Sequence, residues 1–125
     1  MTEEPRHWHY KTPMSEWMEE VANELPVDAV GMWQIVPEGR RGFKLEGEAL
    51  TEYIRRQIAV LLSRGAVPVT GGRALGHEWI LQLQYGSRPE EIIENVVSEW
   101  LVDGAREDDF RVWFALPENA WTPPA

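Results

Sequence analysis

A chain of 125 residues and 14.4 kDa fits one ordinary domain, since dividing it would leave each half near the lower limit for an independent core. With 43% apolar and 26% charged residues it is built to fold by burial. The absence of cysteine excludes disulfide scaffolds, thiol nucleophiles, thiolate zinc sites and iron–sulfur clusters. Twelve Lys plus Arg against 21 Asp plus Glu give a net charge of −9, which disfavours long-range attraction to nucleic acid or anionic membrane.

Residues 1–13 hold two prolines and the cluster His7-Trp8-His9-Tyr10, and read as an irregular arm with an aromatic patch. From Ser15 to Leu25, Trp17, Met18, Val21, Ala22 and Leu25 recur at helical spacing, predicting an amphipathic helix begun by Ser15 and stopped by Pro26. Val30 to Val36 is compatible with a strand or a short helix, with strand preferred, and Pro37 to Gly42 reads as a turn rich in breakers. Over 48–64, Leu50, Ile54, Ile58, Leu61 and Leu62 mark a helix face opposite Glu52 and Arg56, which are expected to pair, and Gly65 is placed for a left-handed cap. Val67 and Val69 flank Pro68, which predicts an edge strand. A loop with Gly71, Gly72 and Gly76 follows. Trp79, Leu81, Leu83 and Tyr85 alternate with Ile80, Gln82 and Gln84 as in a strand. Ser87 to Glu90 matches a capping box opening a helix that runs to Asp103 before Gly104. Phe110, Val112, Phe114 and Leu116 alternate as a last strand ahead of a Pro-rich tail.

These elements predict an α+β fold: one domain over 14–116, between the arm (1–13) and the tail (117–125), with three main helices packed on a short mixed sheet of three to four strands. The strand, helix and strand over 79–116 suggest a parallel crossover. Alternatively, the helix at 48–64, the strand near 66–70, the Gly-rich loop and the strand at 79–85 form a helix followed by a β-wing. That arrangement resembles the end of a winged-helix domain, with Arg73 at the wing tip.

Little here is arranged for catalysis. His7 and His9 could reach a metal together with His77 or Glu78, but an arm flanked by prolines supplies no rigid frame, and no metal site is expected. Glu107-Asp108-Asp109 reads as a solvated acidic turn. The glycines at 71, 72 and 76 lead into a strand rather than a helix, so they are no phosphate loop, and no cofactor is expected. A Gly-x-Ser-x-Gly elbow is also missing.

The seven tryptophans are the unusual feature. Trp17, Trp79 and Trp100 fall on expected core faces. Alternation places Trp33 and Trp113 on the reverse face, where with Ile35 and Ile80 they would form an aromatic patch, unless the arms bearing Trp8, Tyr10 and Trp121 fold back over it. The leading expectation is a non-enzymatic module that binds another protein through Trp33, Trp113, Trp8 and Tyr10. Residues 39–76 hold seven of the twelve cations and only three acids, which motivates an alternative: winged-helix-like nucleic-acid binding through Lys44, Arg55, Arg56 and Arg73. A third reading is a small-ligand binder or enzyme with a Trp-lined pocket. The longest apolar runs, Ile58–Leu62 and Val112–Leu116, fall far short of the roughly 18 residues that span a bilayer, so no membrane insertion is expected. The charged, apolar-poor start does not read as a secretory signal, and a cytoplasmic location is expected.

Overall fold

The structure, a computed structural model, describes residues 4–72 and 76–122. Its hub is the helix α3 (Gly47–Ser63), whose stripe of Leu50, Ile54, Ile58 and Leu61 is buried. The helix ends as its sequence requires: Gly65 takes φ +94° and the Ala66 N–H returns to the Leu61 carbonyl at 3.1 Å. Three further helices, α1 (Met14–Ala22), α2 (Met32–Pro37) and α4 (Pro89–Val102), pack on α3. Trp100 of α4 and Met18 of α1 are the largest side chains they bury.

Helix α1 starts differently from the sequence expectation. Pro13 occupies its N-cap and Ser15 caps nothing. Instead Glu4, reaching in from the arm, accepts both the Ser15 N–H and the Ser15 hydroxyl, and these bonds hold its carboxyl below the usual range. The arm is therefore docked. Arg6 bridges Pro13 antiparallel, and the Trp8 N–H donates to the Gly42 carbonyl at 2.8 Å. Helix α4 opens with Pro89 at its first turn, but the acid that reaches back is Glu91, to the Ser87 N–H at 2.9 Å, rather than Glu90.

The preferred strand at Val30–Val36 is mostly helix. Only β1 (Val30–Gly31) is extended, and α2 begins at Met32 with the Gln34 side chain accepting the Gly31 N–H at 2.8 Å. Since Pro37 has no N–H to give to the preceding turn, the chain widens into a π-helical turn over Glu38–Gly42, closed by the Phe43 N–H to the Glu38 carbonyl at 3.1 Å. The residues taken as turn breakers thus extend a helix. Gly39 is required there by close packing, because a Cβ would lie 2.7 Å from both Leu50 and Tyr53.

The sheet has four strands, β1, β2 (Val67–Gly71), β3 (Trp79–Leu81) and β4 (Trp113–Ala115), in the order β1-β4-β2-β3. The α+β class stands, but the sheet is antiparallel at every pairing rather than mixed. The short connection after β2 lets β3 fold straight back as a hairpin, leaving the other edge of β2 to β4. Strands β3 and β4 run the same way across α4, yet β2 separates them, so the expected crossover skips a strand. Pro68 consequently sits in an interior strand instead of at an edge. Its carbonyl accepts the Gln82 N–H at 2.9 Å, on the side where β3 has already ended, so the missing Pro68 donor faces no strand partner. Both late strands are shorter than their alternation suggested: Leu83–Tyr85 coils into a 3-10 turn that buries Tyr85 and leaves Leu83 exposed.

Phe114 and Val30 point into the helical core. On the reverse side Val69 and Ala115 form a second small core with Ala29, covered by Val67, Trp79, Trp113 and Ala120. Trp79, assigned to the main core from sequence, lies on this reverse side. The segment after β4 returns along the outer edge of β3, where Leu81 donates to the Trp121 carbonyl at 2.8 Å and Trp121 to that of Trp79 at 2.9 Å. Pairing along that edge removes a strand edge from solvent.

Candidate functional site

The four aromatic residues singled out from sequence fall into two groups. Trp33, in the first turn of α2 rather than on a strand, meets Trp113 edge-on at 6.0 Å and Phe110 at 6.0 Å, and Trp113 in turn lies 4.9 Å from Trp79. Trp33 and Phe110 remain 39% and 59% exposed. Period-two reasoning brought Trp33 to the right neighbour for the wrong reason: the N-terminus of α2, directly after β1, sets its ring against β4. Trp8 and Tyr10 belong to a separate group around His7, with Trp17 and Phe43.

His7 is a structural pin. It is 5% exposed and stacks on Trp17 at 4.4 Å. Its Nδ1 accepts the backbone N–H groups of His9 and Tyr10, which places the ring proton on Nε2, and Nε2 donates to Glu38 Oε2 at 3.2 Å. With both nitrogens engaged, His7 has no free atom for a metal. His77 is elsewhere, stacked on Trp121 at 4.3 Å. Among the described residues no group of three or more His, Asp or Glu side chains is arranged to hold a metal ion. The acidic turn is likewise spoken for: Glu107 pairs with Arg40 and Arg41, Asp108 with Arg106, and the buried Asp109 with Arg111. The Arg106 hydrogen bond keeps the Asp108 carboxyl below its usual range.

Of the cations of the nucleic-acid reading, Arg55 is paired with acids, whereas Arg56 and Lys44 are exposed and have no acidic partner among the described residues. Arg55 is held by Glu94 at 3.0 Å and by Glu52 at 3.4 Å, so Glu52 pairs three residues on rather than with Arg56. The Glu94 bond raises the Arg55 pKa further. Arg56 is directed at the Met14 sulfur, and the Lys44 Nζ sits over the Trp8 ring at 5.4 Å. Arg73 lies outside the described residues. Helix α3 and the β2–β3 hairpin do follow one another as a wing would, but β2 is an interior strand of the sheet, and α3 buries one face in the core while Glu48, Glu52, Arg56 and Ala59 face solvent.

Between the two aromatic groups runs a groove of about 610 Å³, walled by α1 and by α2 with its π turn, and floored by α3. Trp17 lines one wall and Trp33 the other, with Val21, Val30 and Ile35 apolar between them. On the floor are Tyr53 and Gln57, successive on one face of α3. Burial pushes the Tyr53 phenol well above its ordinary range, and the Glu38 charge adds to this, so the hydroxyl is neutral at physiological pH. The Trp17 indole N–H lies beside that hydroxyl closely enough to oppose the shift, but without hydrogen-bond geometry, and it is buried without a partner. Gln57, 1% exposed, donates through Nε2 to the Met18 carbonyl at 3.1 Å, and its Oε1 has no partner. Each such buried polar atom costs the fold about 1–3 kcal/mol. At the rim Glu24 and Glu38 accompany one cation, Arg41, which shares Glu107 with Arg40 at 2.6 and 3.3 Å.

Sequence reasoning assigned Trp17 to the core and passed over Tyr53 and Gln57. A signal existed: Gln57 lies three residues after Ile54 and four before Leu61, so an amide interrupts the apolar stripe of the most clearly amphipathic helix. Comparison with protein-family models, with curated proteins and with solved structures finds no match to this chain.

Proposed function

We propose that this chain is a non-catalytic recognition module that works in the cytoplasm and binds another protein at the aromatic groove between α1 and α2. One observation carries the reading: a groove of binding-site size lies between two aromatic groups, and Trp33, Phe110, Trp8 and Tyr10 keep 39%, 59%, 53% and 66% of their surface exposed. Aromatic side chains bury much area at low entropic cost, which is why they anchor protein interfaces. A peptide array probed with the full chain tests this. Short peptides carrying an apolar anchor should be retained, and Trp33→Ala, a change at a half-exposed ring, should abolish retention while leaving the circular dichroism spectrum unchanged. Retention that is indifferent to Trp33→Ala, or no retention at all, overturns the reading. The groove volume of about 610 Å³ also suits a small organic ligand, which supports small-molecule binding as the second reading.

A further inference from the structure

The docked arm is a small hairpin built around a buried histidine. Its base is closed where Arg6 bridges Pro13 and the His7 N–H meets the Thr12 carbonyl at 2.8 Å. Its tip, residues 8–11, folds back so that the Lys11 N–H reaches the His7 carbonyl at 2.9 Å. Lys11 takes φ +63° to make that turn, a left-handed backbone that a residue with a Cβ keeps only when its surroundings impose it. Arg6 and Lys11 add exposed side-chain contacts, but the buried hold on the tip is the His7 ring, whose Nδ1 accepts the His9 and Tyr10 N–H groups at 3.1 and 3.2 Å. The rest of the ring is clamped separately. Nε2 donates to Glu38 of the π turn, and the ring face stacks on Trp17 of α1 at 4.4 Å. Gly42 closes over the pair so tightly that a Cβ there would lie 2.7 Å from Glu38 Oε2 and 2.8 Å from His7 Nε2.

These two holds answer a proton in opposite ways. An imidazolium carries an N–H on both nitrogens and has no acceptor left. A proton on Nδ1 would therefore meet two backbone donors, with no acceptor for any of the three among the described residues. The same proton strengthens the bond to Glu38 and the attraction to the Trp17 face. Of the titratable groups packed around the ring, the π turn contributes Glu38, the arm His9, Tyr10 and Lys11, the following segment Lys44 over Trp8, and α3 contributes Tyr53 behind Phe43, while α1 presents the uncharged Trp17. We infer that the turn over residues 8–11 is a proton-operated latch: in mildly acid solution Nδ1 takes a proton from water, the ring stays between Glu38 and Trp17, and His9 and Tyr10 let go of it while the base of the arm remains docked. Releasing Nδ1 also frees Lys11 from its left-handed backbone, so the turn has a second conformation to move to. The latch belongs to the free protein and stands whether or not the groove binds a partner. Its moving piece carries Tyr10, one of the exposed rings of the recognition surface.

The test follows the isotope-labelled full chain by NMR from about pH 7.5 to about pH 5, a span that crosses the ordinary histidine range and stays above that of the carboxylates. At the upper end the His7 ring should read as a bare Nδ1 and a protonated Nε2. As the ring gains its second proton, the His9 and Tyr10 amide signals should move on the same curve, and their hydrogen-exchange protection should fall about tenfold. The Trp8 amide on the Gly42 carbonyl and the Met14 amide on the Pro5 carbonyl should keep theirs. His7→Asn offers its Oδ1 to the same two N–H groups, as asparagine does in turns, and has no proton to take up, so its turn should stay closed throughout. His9→Gln should leave the transition in place. A ring that stays singly protonated down to about pH 5 overturns the inference, and so does a ring that gains its proton while the His9 and Tyr10 amides stay protected. A transition that survives in His7→Asn, or vanishes in His9→Gln, belongs to another group and overturns it as well. Loss of Met14 protection together with that of Tyr10 means that the whole arm unfolds, which overturns the latch. If His7→Asn leaves the arm undocked, the ring and amide curves of the unaltered protein decide alone. The peptide array with Trp33→Ala tests the groove separately.

Discussion

Replacing Gln57 by Met should make the free protein more stable, an unusual expectation for a residue that is 1% exposed in the middle of the longest helix. The substitution keeps an unbranched chain of similar size and removes the amide. Losing the unpartnered Oε1 returns about 1–3 kcal/mol, the cost of a buried acceptor without a donor. Losing the Nε2 bond to the Met18 carbonyl at 3.1 Å gives up about 0.5–1.5 kcal/mol, at the low end because Met18 lies inside α1, where its carbonyl also serves the helix. The exchange of amide for thioether in an apolar setting adds a fraction of a kcal/mol, partly offset by the fit of a slightly larger group. The balance is a gain of about 1 kcal/mol, or a rise in Tm of about 3–5 °C for a domain of this size. Urea unfolding followed by tryptophan fluorescence and by circular dichroism measures it, with an unchanged m-value as the check that only stability has moved. A loss of more than about 1 kcal/mol would refute the reasoning, because it would mean that Oε1 is well satisfied in the free protein.

Other consequences of the packing can be checked directly. Gly31→Ala places a Cβ 2.7 Å from both Trp33 and Trp113, so it should wedge the two indoles apart and cost about 1–3 kcal/mol; an unaltered urea midpoint would show that the rings are not held together as described. The Tyr53 phenol has a pKa raised above its ordinary 10.0, so its contribution is complete below that value and is lost at higher pH, where the unfolded chain ionises and the folded one resists. Tyr53→Phe should therefore flatten the fall in stability above pH 10.0, and identical alkaline slopes for the two proteins would contradict the burial of that hydroxyl. Glu4 has the opposite sign: with its folded pKa below the ordinary 4.5, its bonds to Ser15 support the arm above that value and are lost as pH falls through the folded pKa. Glu4→Ala should remove this acid dependence from the hydrogen-exchange protection of the Ser15 amide, and the effect should be small because the carboxylate is exposed.

Helix α3 shows what local information suffices for. Its stripe, its length and its glycine stop were all legible, since a 3.6-residue period over seventeen residues and a left-handed cap are local facts. The α1 and α4 periods and the antiparallel potential of β2 and β3 were legible for the same reason. Residues 30–36 were not, because a run of seven apolar-rich residues satisfies strand and helix alike, and the decision came from Gln34 closing on Gly31 and from β4 having room for only two partners in β1. Pro68 misled because the rule that proline avoids interior strands holds only where a neighbouring strand needs its N–H, and β3 stops short of that place.

The candidate site divides in the same way. That tryptophans would form a recognition surface could be argued from their number and from the alternation around Trp113, and the presence of an amide in the α3 stripe was visible in the letters. Which rings share a wall, that His7 is spent on holding the arm, that Arg55 is cancelled by Glu94, and that the Gln57 oxygen ends without a partner are decided only by tertiary structure. Each depends on residues tens of positions apart meeting at about 3–6 Å, and periodicity within a segment fixes which side of an element a residue occupies but carries no information about what arrives opposite it.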